Sequence, residues 1–144
     1  MAQIIDSSKN LCTPLIKSPV TLDLIANIKD IGGRFNVMDV SNVALWIKGS
    51  RNNSDTVKIR VKCYRNENDT DASYPQIQTV NSTFVSMVEE VYDIKGDLAG
   101  NINCVFPLGM SALVPFLQIE AYVDTLGGLP AVIDEAYISF DRRS

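Results

Sequence analysis

The sequence predicts an all-β protein, an antiparallel β-sandwich or jelly roll, and three observations support this fold class. Short stretches alternate between apolar and polar side chains, which is the period of a half-buried β-strand. Glycine, asparagine and proline separate these stretches, and they favour turns. Convincing helical periodicity is absent from almost the whole sequence. Two antiparallel sheets that each bury one face would satisfy this pattern.

Eight strands are predicted from the alternation. In chain order they are Val20 to Ile25, Asn42 to Gly49, Thr56 to Tyr64, Ile77 to Val80, Ser82 to Tyr92, Ile102 to Leu108, Phe116 to Asp124 and Ala131 to Phe140. The cleanest of them predict a buried set of apolar side chains: Leu45, Ile47, Ile59, Val61, Leu117, Ile119 and Val123. For residues 82 to 92 a helical stripe is the alternative, and β-branched and aromatic residues favour the strand.

The connections between the predicted strands carry turn-forming residues. They are "DIGG" (30 to 33), "GSRNNSD" (49 to 55), "RNENDTDASYP" (65 to 75), "KGDLAGN" (95 to 101) and "TLGGLP" (125 to 130). We interpret the glycine pairs 32–33 and 127–128 as turns, because they lack the spacing of a phosphate-binding loop. The loop "NENDTD" (66 to 71) concentrates oxygen ligands but lacks the glycine and terminal glutamate of an EF-hand, which favours a solvated turn.

The chain length of 144 residues predicts one sandwich domain, residues 20–144, preceded by an extended N-terminal arm, residues 1–19. Two prolines interrupt this arm and limit regular strand pairing. It is nevertheless apolar, so we expect it to lie on its own domain or on a neighbour. The candidate interface residues are Ile4, Ile5, Leu11 and Leu15 in the arm, with Met110 and Leu113 in the apolar corner "LGMSALV". That corner is equally compatible with capping its own sandwich.

The composition argues against catalysis and against an anionic partner for the molecule as a whole. The chain has 17 acidic and 13 basic side chains and no histidine, so it lacks the usual neutral-pH acid or base and the commonest zinc ligand. Three cysteines at irregular spacings are predicted to be reduced, with a disulfide as the alternative. We therefore expect no enzyme activity, cofactor, metal, nucleic acid or membrane partner. The start of the chain does not resemble a signal peptide, which predicts a cytoplasmic origin.

The strand "VKIRVK" places Lys58, Arg60 and Lys62 on one face. This cationic stripe is a candidate site for an acidic partner. The competing interpretation is a solvent face whose cations pair across the sheet with carboxylates such as Glu120 and Asp124. Nucleic acid is disfavoured because no aromatic side chains alternate with the cations. The single tryptophan, Trp46, shares a strand face with Lys48 and is interpreted as core or interface filling rather than as a sugar platform.

An arm with prolines, the strand "VTLDLI", the passage "DIGGRFNVMDVSNVALWIKG" and the later "INCVFPL…PFLQIEAYV…AVIDEAYISF" together resemble the small capsid cement, or decoration, proteins of tailed bacteriophages. The resemblance implies a structural virion protein, made in the host cytoplasm, that sits on the outside of the capsid. It further implies that the major capsid protein is the partner and that a homo-oligomer, a dimer or trimer, bridges capsomers.

A carbohydrate-binding or receptor-binding β-sandwich module is the alternative to a decoration protein. Such a module would also be a jelly roll without histidine, but the sequence offers one tryptophan and few loop aromatics for stacking on sugar rings. Titration with saccharides distinguishes the two hypotheses.

Overall fold

The structure, a computed structural model, describes residues 12–22, 28–38, 40–52, 56–80, 85–108, 115–124 and 129–142. Throughout these ranges the protein is all-β, and two antiparallel sheets pack against each other as a β-sandwich, which confirms the predicted fold class. The same ranges contain no helix long and apolar enough to cross a membrane.

The described chain contains eleven strands. They are β1 (Cys12–Pro14), β2 (Val20–Leu22), β3 (Lys29–Asn36), β4 (Val40–Ser50), β5 (Val57–Tyr64), β6 (Gln76–Val80), β7 (Val85–Glu89), β8 (Tyr92–Ile94), β9 (Asn101–Pro107), β10 (Phe116–Val123) and β11 (Ala131–Arg142). Sheet A has the order β1-β11-β4-β9, with β2 also paired to β11, and sheet B has the order β3-β10-β5-β8. Strands β6 and β7 form a separate hairpin.

The chain passes repeatedly from one sheet to the other. It runs from β2 in sheet A to β3 in sheet B, returns to β4 and crosses again to β5. After the β6–β7 hairpin and β8, it alternates once more through β9, β10 and β11. A five-stranded and a four-stranded sheet connected in this way have the connectivity of a jelly roll.

The core lies between the two sheets and contains every side chain that the alternation predicts to be buried. All seven predicted core residues are at most 4% exposed. Strand β10 pairs with β5 along its whole length, from Phe116 opposite Tyr64 to Val123 opposite Val57. This continuous register keeps the apolar side chains of both strands on the inner face and their charged side chains on the outer face.

The sequence interpretation of "DIGG" as a turn is wrong, because these residues lie inside β3. The pairing of β3 with β10 shifts register between Leu117 and Ile119, so the glycine pair forms an irregularity in a continuous strand. Gly32 has a φ of +81°, and a Cβ there would lie 2.6 Å from the carbonyl oxygen of Leu15. Glycine is needed here for the bulge and for this close approach of two backbones.

Residues 12–16 of the predicted arm lie on the protein's own sandwich. Strand β1 pairs with the Tyr137–Ser139 part of β11, and the Leu15 N–H donates to the carbonyl of Ala136 at 2.8 Å. Leu15 and Ile16 are half-buried against the core. The predicted strand at residues 82–92 is observed as β7 and β8 where it is described, rather than as a helix.

Candidate functional site

The outer face of sheet B carries the predicted cationic stripe, Lys58, Arg60 and Lys62 on β5. Their side chains are only 17%, 16% and 14% exposed. Each cation contacts two carboxylates: Lys58 pairs with Asp93 and Asp124, Arg60 with Glu89 and Glu120, and Lys62 with Asp30 and Glu120. Five carboxylates therefore surround three cations, and the cross-strand partners Glu120 and Asp124 are those expected from the sequence.

Glu120 is the centre of this charge network and is only 7% exposed. Its carboxylate accepts hydrogen bonds from Arg60 Nε at 2.9 Å and from the Tyr74 hydroxyl at 3.1 Å, and Lys62 Nζ lies 3.6 Å away. The Arg60 guanidinium also lies over the Tyr74 ring, 4.3 Å from its centre. Tyr74 was missed by the sequence analysis, since it precedes β6 and only the folded chain brings it to β5.

The ion pairs raise the pKa values of the two lysines of the stripe. For Lys62, burial is the largest single influence and lowers the pKa, but the hydrogen bond to Asp30 and the charges of Glu120 and Asp30 outweigh it, so the pKa is raised. The pKa of Lys58 is raised, chiefly by its hydrogen bond to Asp93. These interactions hold β5, β8, β10 and the β6–β7 hairpin together electrostatically, and they occupy the cations that an acidic partner would need.

The outer face of sheet A has a different character. Cross-strand pairing places Pro14 beside Tyr137, Tyr137 beside Trp46, and Trp46 beside Val105, so that one row crosses β1, β11, β4 and β9. We call this row the apolar band. Trp46 and Val105 are 42% and 47% exposed, because their neighbours along each strand face inward and they face outward. The Trp46 ring is held in place by a hydrogen bond from Nε1 to Ser139 Oγ at 2.7 Å.

A shallow groove beside the apolar band combines aromatic and polar side chains. It is lined by residues of β4, β9 and β11, including Trp46, Lys48, Asn103, Glu135 and Tyr137. Lys48 Nζ lies 3.8 Å from the Glu135 carboxylate, and both side chains are well exposed. The Tyr137 hydroxyl donates to Glu135 at 3.2 Å, and the negative charge of Glu135 raises the pKa of Tyr137. Sequence alternation placed Trp46 on this face but did not reveal its neighbours from distant strands.

The remaining candidate interface residues are only partly covered by the structure. Leu15 is half-buried against the core, as described above. Ile4, Ile5, Leu11, Met110 and Leu113 lie outside the described residues. Their assignment to an interface stays a prediction.

The acidic loop at residues 66–71 is a network of short-range hydrogen bonds. Asn66 Oδ1 accepts from the Asn68 N–H at 3.0 Å, and the Asp69 carboxylate accepts from the Asp71 N–H and from Arg65 Nε. The hydrogen bonds from Arg65 are the main reason that the pKa of Asp69 is held well below its ordinary value. Within the described ranges, no group of three His, Cys, Asp or Glu side chains is placed to bind a metal ion.

The three cysteines all fall within the described residues and are not joined by disulfides. Cys63 is buried in the core, where burial raises its pKa to about 11. Cys104 is half-buried, and burial raises its pKa as well. Such thiols are poor nucleophiles at neutral pH and behave as small apolar side chains.

Comparison of the chain with protein-family models, with curated proteins and with solved structures found no match. Functional inference therefore depends on the two outer faces of the sandwich.

Proposed function

We propose that the chain is a capsid cement, or decoration, protein of a tailed bacteriophage, which attaches to the outside of the capsid without catalysing a reaction. Its partner is the major capsid protein, and its location is the capsid surface of the virion. The outer face of sheet A, centred on the apolar band, is the surface that docks.

The observation that supports this proposal is the contrast between the two outer faces. On sheet B, the cations of the stripe are paired with carboxylates of the same chain. On sheet A, Trp46 on the central strand β4 and Val105 on the edge strand β9 remain about half exposed. Burying such side chains against a partner is favourable, at roughly 1.5 to 3 kcal/mol for a large apolar side chain. Tryptophan and tyrosine are also enriched at interface hot spots.

The test of this function uses empty capsids of the phage that encodes the chain. Purified protein is added to preassembled capsids, and bound protein is separated by sedimentation. We expect saturable binding and a higher temperature of capsid disruption in the presence of the protein. Absence of saturable binding, or binding without any change in capsid stability, would contradict a cement function.

A second candidate function is carbohydrate binding, and the groove on sheet A is the observation that favours it. Trp46 and Tyr137 offer ring faces, and Lys48, Asn103 and Glu135 place hydrogen-bonding groups beside them. A saccharide titration followed by Trp46 fluorescence separates the two functions. A spectral shift that saturates with a sugar, together with no capsid binding, would favour the carbohydrate module.

A further inference from the structure

The free edges of the two sheets differ in how well they are protected against pairing with another strand. At one edge of sheet A, β1 and β2 are three residues each, and β1 contains Pro14. At the edges of sheet B, β8 is also three residues long, while β3 contains the Gly32 irregularity and the charged residues Lys29, Asp30 and Arg34. Short strands, prolines, bulges and charges are the features that keep edge strands from associating.

Strand β9, the other edge of sheet A, has only one of these protections, a proline at its end. It is seven residues long, Asn101–Pro107, and contains no charged side chain. Its pairing with β4 continues without a register shift from Ala44 opposite Pro107 to Ser50 opposite Asn101. Pro107, at the very end, is the single residue of β9 that discourages pairing.

Among the described residues, the backbone groups that β9 leaves unpaired can be identified from its register. The Leu108 N–H donates to the carbonyl of Val43 at 2.9 Å, so hydrogen-bonded pairs between the two strands recur at every second residue from this point. Residues 102, 104 and 106 therefore bond to β4, and the N–H and C=O of Asn103 and Val105 point away from the sheet. The outward groups of Asn101 are already used, because Asp97 accepts from its N–H and donates to its C=O.

We propose that β9 pairs antiparallel with β9 of a second copy of the chain, around a two-fold axis that passes beside Cys104. In this register Asn103 of each copy opposes Val105 of the other, and four backbone hydrogen bonds use both groups of both residues. If the two-fold axis moved from residue 104 to residue 103, the pairing would require the occupied backbone groups of Asn101. If the axis moved to residue 105, the pairing would require the N–H that Pro107 lacks. The alternation thus selects one register.

Two further observations fit a second copy as the occupant. When a strand pairs with itself across a two-fold axis, a charge near the axis lies close to its own copy, and β9 carries no charge. The groove between β8 and β9 is lined by Tyr92, Ile94, Phe106 and other apolar side chains together with Asp93 and Lys95, and the second copy would cover its opening. The inference deepens the proposed function, since the dimer would join two apolar bands into one docking surface, but self-association does not depend on a capsid.

The substitution Asn103→Pro tests the pairing, because it removes an outward N–H and leaves the hydrogen bonds to β4 intact. The mass of the full chain is measured by sedimentation equilibrium over a range of concentrations, with circular dichroism as the check on folding. We expect a dimer whose dissociation constant rises about 10-fold or more in Asn103→Pro, since two of the four hydrogen bonds are lost. The matched control is Asn103→Ala, which keeps the N–H and is expected to remain dimeric.

A second variant decides the question if Asn103→Pro does not fold. Val105→Lys changes a side chain that is already half exposed and places a charge near the axis in each copy. A monomeric wild type at all concentrations would overturn the proposal, as would a folded variant whose dissociation constant equals that of wild type. Folded variants that dissociate at concentrations where wild type and Asn103→Ala are dimeric would support it.

Oxidation of the dimer at alkaline pH, where the half-buried Cys104 thiol ionises in part despite its raised pKa, tests the register separately. In the proposed register Cys104 lies directly opposite Cys104 of the second copy, in a non-hydrogen-bonded pair. The Cα atoms of such a pair are about 4.5 Å apart, within the range that a disulfide spans. We expect a covalent dimer in wild type but not in Cys104→Ser, and a covalent dimer that persists in Cys104→Ser would overturn the register. None of these measurements uses capsids, so failure of the dimer and failure of capsid attachment are distinguishable.

Discussion

Replacement of Glu120 by alanine tests whether the charge network on sheet B stabilises the fold. Glu120 is 7% exposed, and its carboxylate accepts hydrogen bonds from Arg60 and Tyr74. The substitution leaves Arg60 and Lys62 with one carboxylate each, Glu89 and Asp30. The two cations are also mostly buried, so water replaces the missing carboxylate only in part.

The size of the effect follows from this partial burial. Removal of one partner from a fully buried ion pair costs about 3 to 5 kcal/mol, whereas an exposed pair contributes about 0 to 1 kcal/mol. Because both cations retain a second carboxylate, we expect Glu120→Ala to lower the free energy of unfolding by about 2 to 3 kcal/mol. At a urea dependence of about 2 kcal/mol per molar, the midpoint of unfolding falls by about 1 to 1.5 M.

Urea unfolding followed by tryptophan fluorescence measures this change, and Glu135→Ala is the matched control. Glu135 is also a strand glutamate that faces outward and pairs with a lysine, but its side chain is 47% exposed and the ion pair spans 3.8 Å. We expect the control to cost about 0.5 kcal/mol or less. If the two variants lose the same stability within about 0.5 kcal/mol, the assignment of a stabilising role to the buried network is wrong.

Three further predictions concern the fold. Gly32→Ala should destabilise the protein by about 1 kcal/mol or more, because the φ of residue 32 is +81° and a Cβ there would meet the Leu15 carbonyl. Gly33→Ala, with open space around its Cβ, should have a smaller effect. Equal losses of stability in thermal unfolding of the two variants would refute this prediction. Ile47→Ala, at a core position 1% exposed, should cost about 2 to 5 kcal/mol in urea, and a loss below 1 kcal/mol would contradict the packing. Because the pKa of Asp69 is lowered in the folded protein, its carboxylate stabilises the fold above its ordinary pKa, and this contribution is lost as the pH falls through the lowered value. The difference in free energy of unfolding between wild type and Asp69→Asn should thus be constant from pH 7 to about 5 and shrink below about pH 4. A difference that grows in acid would refute this prediction.

Side-chain alternation was sufficient to predict seven core residues and two of the five carboxylate partners of the cationic stripe, Glu120 and Asp124. In β5 and β10 every second residue is apolar, and the side-chain period of a strand fixes which residues face inward. The charged residues of β5 and β10 therefore lie on the outer face of the sheet, where they contact each other if the two strands are neighbours. The structure places them as neighbours in register, with Glu120 opposite Arg60.

Features that depend on more than one strand could not be predicted in the same way. The apolar band requires Trp46 to lie between Val105 and Tyr137, and this depends on the register of three strands that are far apart in sequence. The glycine pair in β3 has the composition of a turn, and only its pairing with β10 shows it to be an irregularity within a strand. Glycine permits both conformations, so local sequence alone does not distinguish them.

Capsid binding by Trp46→Ala is the measurement that tests the proposed function most directly. The control is Leu98→Ala, which removes a fully exposed apolar side chain outside the apolar band. If the outer face of sheet A docks on the capsid, Trp46→Ala weakens binding by about 10-fold or more, since a central tryptophan contributes more than about 1 to 2 kcal/mol. Leu98→Ala is then expected to bind as wild type does. Equal binding of wild type and folded Trp46→Ala in a sedimentation assay would contradict attachment through this face.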